Sequence, residues 1–265
     1  MTVNTLIDYA KHDYEIEAFG FTIVPDFITS ETAGRLKSAL TAALDVDQAR
    51  FGHFRAKAKN HIMELASHGG IFLELLEHPE MLRFYRHFLG PDCVLYAYSS
   101  TLLAPEDPVP AQNVHVDSGR WLPNVFTGLQ MTLAIDEFTA ENGASWYLPG
   151  SHRSPAPPTA ETFERYAVMV ERPAGAALIW DPHCYHRAGE NKTSATRFAL
   201  STYAVRGYIK QRFDYPRLLG PEVEAKASAS LRTFLGYARQ PPTSVEQFYE
   251  NAEKTKYALN TGQYV

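Results

Sequence analysis

The stretch from Val94 to Val205 constrains the fold more than any other part of the chain. Short runs of β-forming residues recur there: Val94 to Leu103, Phe126 to Ile135, Ser145 to Leu148, Ala167 to Val170, Ala176 to Trp180 and Arg197 to Val205. Pro, Gly, Asn and Asp separate them, and no long helical pattern intervenes. Runs at this spacing suggest an antiparallel sandwich or barrel.

The flanks read differently. Phe19 to Val24 reads as a short strand closed by Pro25 and Asp26. Thr29 and Ser30 then offer N-caps, and Leu36, Leu40 and Leu44 recur at helical spacing. Residues 45 to 68 scatter His53, Arg55, Lys57, Lys59, His61 and His68 with little periodicity, which reads as a loop-rich segment. Ile71 to Leu76 and Pro79 to Leu89 read as helices, the second opened by proline and stopped by Gly90-Pro91. Pro221 to Leu235 reads as a helix in the tail. The expected organisation is one domain over residues 1–265: a helical N-terminal support of about 1–92, a β core of about 93–206 and a C-terminal helical cap of about 207–265.

Composition narrows the function classes. Hydrophobic residues make up 45% of the 265, enough to bury a substantial core. The net charge of −5 argues against a mainly electrostatic grip on nucleic acid or anionic lipid. No run approaches the roughly 20 apolar residues of a membrane span, and the N-terminus lacks the basic start and apolar run of a signal peptide. Cys93 and Cys184 supply no disulfide framework and read as buried thiols in a reducing compartment. These features lead us to expect a soluble cytoplasmic protein, a monomer or homodimer, with no nucleic-acid or membrane partner.

Chemistry concentrates at His115-Val116-Asp117, near the start of the β core. Residues two apart on a strand share a face, so this segment can offer one metal an imidazole and a carboxylate together. A distant third ligand would complete a two-histidine, one-carboxylate facial triad, which suits non-haem Fe(II). His152, His183 and His186 are the candidates. His152 closes Leu148-Pro149-Gly150-Ser151 and reads as a histidine on the surface of a turn. His183 and His186 both follow the apolar run ending at Trp180 and the break at Asp181-Pro182. Arg197 shares a strand face with Ala199, Ser201 and Tyr203. Facing inward it needs a carboxylate, which a bound dicarboxylate supplies through bidentate hydrogen bonds; otherwise it sits at the strand's solvent end.

Further segments join this set: Asp26-Phe27, Glu141-Asn142-Gly143-Ala144 leading to Leu148 through His152, Gly189-Glu190-Asn191 after His186, and Leu235-Gly236-Tyr237. Over roughly residues 14 to 240 the pattern resembles the phytanoyl-CoA dioxygenase family of Fe(II)- and 2-oxoglutarate-dependent oxygenases. The resemblance implies a mainly β fold with flanking α-helices around a double-stranded β-helix, the jelly roll of cupin-like proteins. It implies Fe(II) held by the catalytic residues His115, Asp117 and His186, with 2-oxoglutarate and O2 as cosubstrates. Arg197, eleven residues after His186, matches the family's anchor for the far carboxylate of 2-oxoglutarate, a spacing that His183 does not meet.

By the same resemblance Gln112, three residues before His115, and Ser145, just after Asn142-Gly143-Ala144, stand near the cosubstrate. Ala188 departs from the pattern, since many members carry a serine there that supports the arginine. Asp117 stands where halogenating relatives have a small residue, which argues against halogenation. The implied reaction is hydroxylation of an unactivated C–H of a small molecule, with desaturation or cyclisation as variants and natural-product biosynthesis as one setting. Arg120 and Trp121 directly after the motif, together with His183 and Tyr185, are candidate substrate-pocket residues. Phe51 to Asn60 and Arg206 to Arg217 are candidate lids. A non-catalytic metal-binding partner subunit of the same fold is the alternative; a metal hydrolase on a cupin-like barrel is another, in which Arg197 has no evident job.

Overall fold

The computed structural model describes residues 7–54, 60–105 and 110–246. Among the described residues eight strands form two antiparallel sheets: β1 (Phe21–Val24), β2 (Val94–Ser100), β3 (Gly128–Ala134), β4 (Ser145–Tyr147), β5 (Val168–Val170), β6 (Ala177–Trp180), β7 (His186–Arg187) and β8 (Ala199–Val205). The larger sheet runs β1-β6-β3-β8-β2 and the smaller β5-β4-β7. The antiparallel sheets agree with the strand runs, and the whole is the mainly β, jelly-roll architecture with flanking helices that the family resemblance implied. The short strand read at Phe19 to Val24 is β1, and it pairs with β6 as an edge of the larger sheet, so this part of the N-terminal segment belongs to the β core.

Alternation along the central strands separates two environments. Leu129, Met131 and Leu133 of β3 pack into the core shared with the helices, whereas Gln130 and Thr132 face a cavity. On β8, Leu200 and Ala204 join the helical core while Ser201 and Tyr203 face the cavity. Helix α4 (Pro79–Leu89) supplies Met81, Phe84, Tyr85 and Phe88 to the helical side. Each such side chain contributes about 1.5–3 kcal/mol by leaving water. The larger sheet is therefore a rigid plate with an apolar back and a polar inner face.

Four helical features depart from the sequence reading. Helix α1 (Tyr9–Phe19) was not anticipated; it buries only His12 and Ile16, so it leaves no apolar stripe to read. Asp8 caps its start and Gly20, at φ 89°, ends it. Helix α2 (Ser30–Phe51) continues past Leu44 because Ala43 and Asp47 extend the buried stripe, so the loop expected from residue 45 starts later. Of the candidate lid Phe51 to Asn60, residues 55–59 lie outside the described residues. Helix α3 (Ile71–Leu76) and α4 have the expected bounds.

Helix α5 (Ala160–Tyr166) interrupts the strand region, capped by Thr159 and anchored by the buried Phe163. In the tail the single expected helix is two. Helix α6 (Tyr215–Lys226) bends at Gly220, whose φ is 73°, and Ser228 caps a separate α7 (Ala229–Phe234). Cys93 and Cys184 are both free and buried. Among the described residues no helix is long and apolar enough to cross a membrane.

Buried imidazoles make this fold acid-sensitive. Burial pushes His12, His78, His152 and His186 below the usual 6.5, His186 to about 4. The unfolded chain binds protons at these positions that the folded chain refuses, so stability is whole above pH 6.5 and drains away as pH falls toward 4. His115 opposes this, being raised by its hydrogen bond to Asp117. For the metal-free chain, urea denaturation should show less stability at pH 5.5 than at pH 7.5, with His186 alone contributing about 1 kcal/mol of the difference. An unchanged unfolding free energy would contradict it.

Candidate metal centre

His115, Asp117 and His186 converge although the segment carrying the first two is not a regular strand. His115 and His186 form an isolated bridge, each backbone N–H donating to the other's carbonyl at 3.0 Å. Asp117 N–H then donates to Pro182 O at 2.9 Å, with Ser118 N–H on the same carbonyl at 3.2 Å. Nε2 of His115 lies 3.2 Å from Oδ1 of Asp117, and Nε2 of His186 lies 3.9 Å from the same oxygen. All three ligand atoms lie within 4.8 Å of one another. Ligands about 2.1 Å from one ion stand about 3 Å apart, so a single divalent metal fits with a small inward adjustment.

The surroundings prepare each ligand atom. His115 Nδ1–H donates to Asn113 O at 2.8 Å and His186 Nδ1–H to Cys184 O at 3.0 Å, which turns both Nε2 atoms toward Asp117 and makes Nε2 the atom each ring would offer a metal. Gln130 Nε2 donates to Asp117 Oδ2 at 2.6 Å, so Oδ1 is the oxygen turned toward the imidazoles. His186 is stacked on Tyr147 at 5.1 Å and touches Trp180 edge-on at 4.4 Å. Its burial keeps it neutral, as a metal ligand must be. Burial works against the Asp117 carboxylate, yet the hydrogen bond from His115 and the donation from Gln130 hold it below the usual range. Gln130 escaped the sequence reading; its signal was one amide in the otherwise apolar β3.

The ligands open into a cavity of about 370 Å³. Arg197 lines it and is buried, with Nη1 donating to Asn142 O at 3.2 Å and to Gly143 O. Of its two sequence readings, the inward one is the observed placement. Burial pushes its guanidinium down to about 9, helped by the nearby charge of Arg172. Its Nε has no hydrogen-bond partner, and among the described residues no carboxylate forms an ion pair with it. A buried cation with spare donors beside a metal triad is a fit for a metal-chelating dicarboxylate such as 2-oxoglutarate. Ser145 and Ala188 also lie on the cavity wall.

Other sequence candidates fall elsewhere. Gln112 ends the short helical turn Pro110–Gln112, and its neighbour Ala111 is the residue on the wall. Arg120, Trp121, His183 and Tyr185 are not among the lining residues. Arg120 donates to Tyr96 Oη at 3.4 Å, and Trp121 Nε1 to His152 O at 2.9 Å. His183 bonds Asp181 Oδ1 at 2.8 Å inside the fold. The chain turns away after Ser118, which carries Arg120 and Trp121 off the wall; Met63, Arg212 and Tyr203 stand there instead. His152 is not on a turn surface: it is 7% exposed and lies beneath Gly20, where an added Cβ would meet its Nδ1 at 2.5 Å.

Known proteins are similar to this chain in sequence and fold. The uncharacterized protein Rv1501 of Mycobacterium tuberculosis is 29% identical over 196 residues, 72% of each chain. Among solved structures, the non-heme monooxygenase ThoJ superposes with a TM-score of 0.64 at 19% identity, covering 76% of this chain and 79% of its own. The non-heme alpha ketoglutarate dependent carbocyclase SnoK from nogalamycin biosynthesis gives 0.59 at 18% identity, covering 78% and 86%. The family description that matches the sequence is phytanoyl-CoA dioxygenase, over residues 16–199, well over half of the chain. Because that match spans well over half of its residues, the chain belongs to the phytanoyl-CoA dioxygenase family.

Proposed function

We propose that this member of the family is an Fe(II)- and 2-oxoglutarate-dependent oxygenase acting on an unactivated C–H of a small molecule, the whole chain serving as one catalytic domain. The observation that carries the reading is the convergence, in one cavity, of a His-Asp-His cluster with a buried arginine that has no carboxylate partner among the described residues. His115, Asp117 and His186 would hold the metal by one face, and Arg197 would hold the far carboxylate of the keto acid. Iron with 2-oxoglutarate supplies, when bound, the oxidative activation of O2 coupled to decarboxylation of the keto acid.

The chain's own residues do the positioning. Gln130 fixes the Asp117 carboxylate through Oδ2, so one oxygen is left for the metal. Tyr147 and Trp180 wall off His186 and keep water from its ring. Arg197 is held by two backbone carbonyls, so its orientation is set before any anion arrives. Ser145 offers a hydroxyl on the same wall. Asp117 occupies the position that a halide would need. A cavity of about 370 Å³ is the size of a small-molecule site, and the nogalamycin setting of SnoK supports a natural product as the substrate class.

The test is succinate release from 2-oxoglutarate by the chain supplied with Fe(II) and ascorbate, first alone and then with candidate small molecules. Arg197→Met should raise KM for 2-oxoglutarate by about 10- to 100-fold, the worth of a charge-assisted hydrogen-bond pair, with a smaller change in kcat. If the metal-loaded chain neither binds 2-oxoglutarate nor releases succinate, the oxygenase reading fails and the partner-subunit alternative takes its place.

A further inference from the structure

The cavity contains a second buried cation, Arg172, just beyond β5. Its backbone exchanges both hydrogen bonds with Phe138, at 2.8 and 3.0 Å, which pins the residue on the cavity wall. Arg172 is only 4% exposed, yet among the described residues its side chain makes one hydrogen bond, from Nη1 to Val170 O at 3.2 Å, and Nε has no partner. Its guanidinium carbon lies 3.5 Å from the centroid of the Phe138 ring, and that of Arg197 lies 3.8 Å from the same centroid. Two cations thus share one aromatic ring.

Nothing in the described chain neutralises the pair. Asp136 is the acid that acts on Arg197, but its oxygens are committed to Lys37 Nζ at 2.6 Å and to Phe198 N–H at 2.9 Å. Burial pushes Arg172 down to about 10, and the charge of Arg172 in turn weakens the proton on Arg197. The Phe138 ring attracts both but carries no charge. Two guanidiniums buried with no counter-ion among the described residues are costly, and the cost is relieved when an anion arrives beside their spare N–H groups.

We infer that Arg172 is a second anchor for the cosubstrate, so that Arg172 and Arg197 together receive the far carboxylate of 2-oxoglutarate. The inference rests on the oxygenase reading above. A carboxylate has two oxygens and each arginine has spare N–H groups, so one carboxylate can answer both. The primary substrate is the less suitable occupant, because it must enter past exposed wall residues such as Met63 and Arg212 while both anchors are buried. A doubly cationic end should also reject keto acids that lack the far carboxylate more strongly than one arginine would.

Calorimetric titration of the Mn(II)-loaded chain without O2 tests this, with 2-oxoglutarate and with 2-oxopentanoate, which has the same carbon chain but no far carboxylate. Arg172→Met should raise Kd for 2-oxoglutarate by about 10- to 100-fold while 2-oxopentanoate changes by less than about threefold, and Mn(II) affinity should hold. If R172M does not fold, R172Q is titrated in its place and should give the same pattern. Wild-type affinity for 2-oxoglutarate in a folded variant overturns the inference, as does an equal loss for both keto acids, which would make Arg172 a purely architectural residue. Failure of the wild-type chain to bind 2-oxoglutarate with metal present overturns the oxygenase reading, and this inference with it.

Discussion

Replacing His186 with glutamine should remove metal binding and oxygenase turnover together, each by at least about 1000-fold. Loss of a residue that merely orients a ligand costs about 10- to 100-fold in metal affinity, so loss of one of three ligands should cost more. Glutamine is the informative substitution because it nearly fills the imidazole's space beside Tyr147 and Trp180. The backbone pairing with His115 does not involve the side chain and should survive. Metal titration and succinate release read the two losses, and a melting curve checks the fold. Equal metal affinity in His186→Gln would remove His186 from the ligand set.

The second large effect is on architecture. Gly189→Ala should destabilise the chain by about 3 kcal/mol or more and weaken 2-oxoglutarate binding with it, because backbone clashes leave no flexible side chain to yield. A Cβ at position 189 would meet Ala144 O at 2.5 Å and Gly143 backbone atoms at 3.0 Å. Gly143 faces it, at φ 85°, and a Cβ there would meet Gly189 O at 2.9 Å. These two glycines let the segments before β4 and after β7 touch, and Gly143 O accepts from Arg197 Nη1. Parting the segments therefore moves the arginine. Urea denaturation and keto-acid titration of the variant measure the two consequences; wild-type values in both would show that the contact yields without cost.

Much of the β region was legible because its strands carry strong local signals and clear breaks. Helices α3 and α4 were legible for the same reason, with Pro79 and Gly90 marking the second. Helix α1 was hidden since its inner face presents His12, which bonds Thr22 Oγ1 at 2.7 Å, in place of an apolar residue. A polar contact made by tertiary structure leaves no periodic trace. The site shows the same division. His115, Asp117, His186 and Arg197 could be singled out by spacing and by resemblance, and the fold brings all four to one cavity. Gln130 and Arg172 carried no such spacing, since their importance comes from what a neighbouring strand places opposite them. His152 was misplaced because Gly150 and Ser151 suggest exposure locally, whereas α1 and Gly20 cover the ring.

The reciprocal backbone pair between His115 and His186 carries a consequence for how the protein lives without its metal. The two histidines are tied to each other by main-chain bonds, and their rings are already oriented by the carbonyls of Asn113 and Cys184. The ion is thus a guest in a finished socket, unlike the ion of a zinc finger, whose arrival folds the chain. A chelator should strip the centre and leave a folded chain that reloads reversibly, so the supply of metal would govern how much of the population is active without governing how much of it survives.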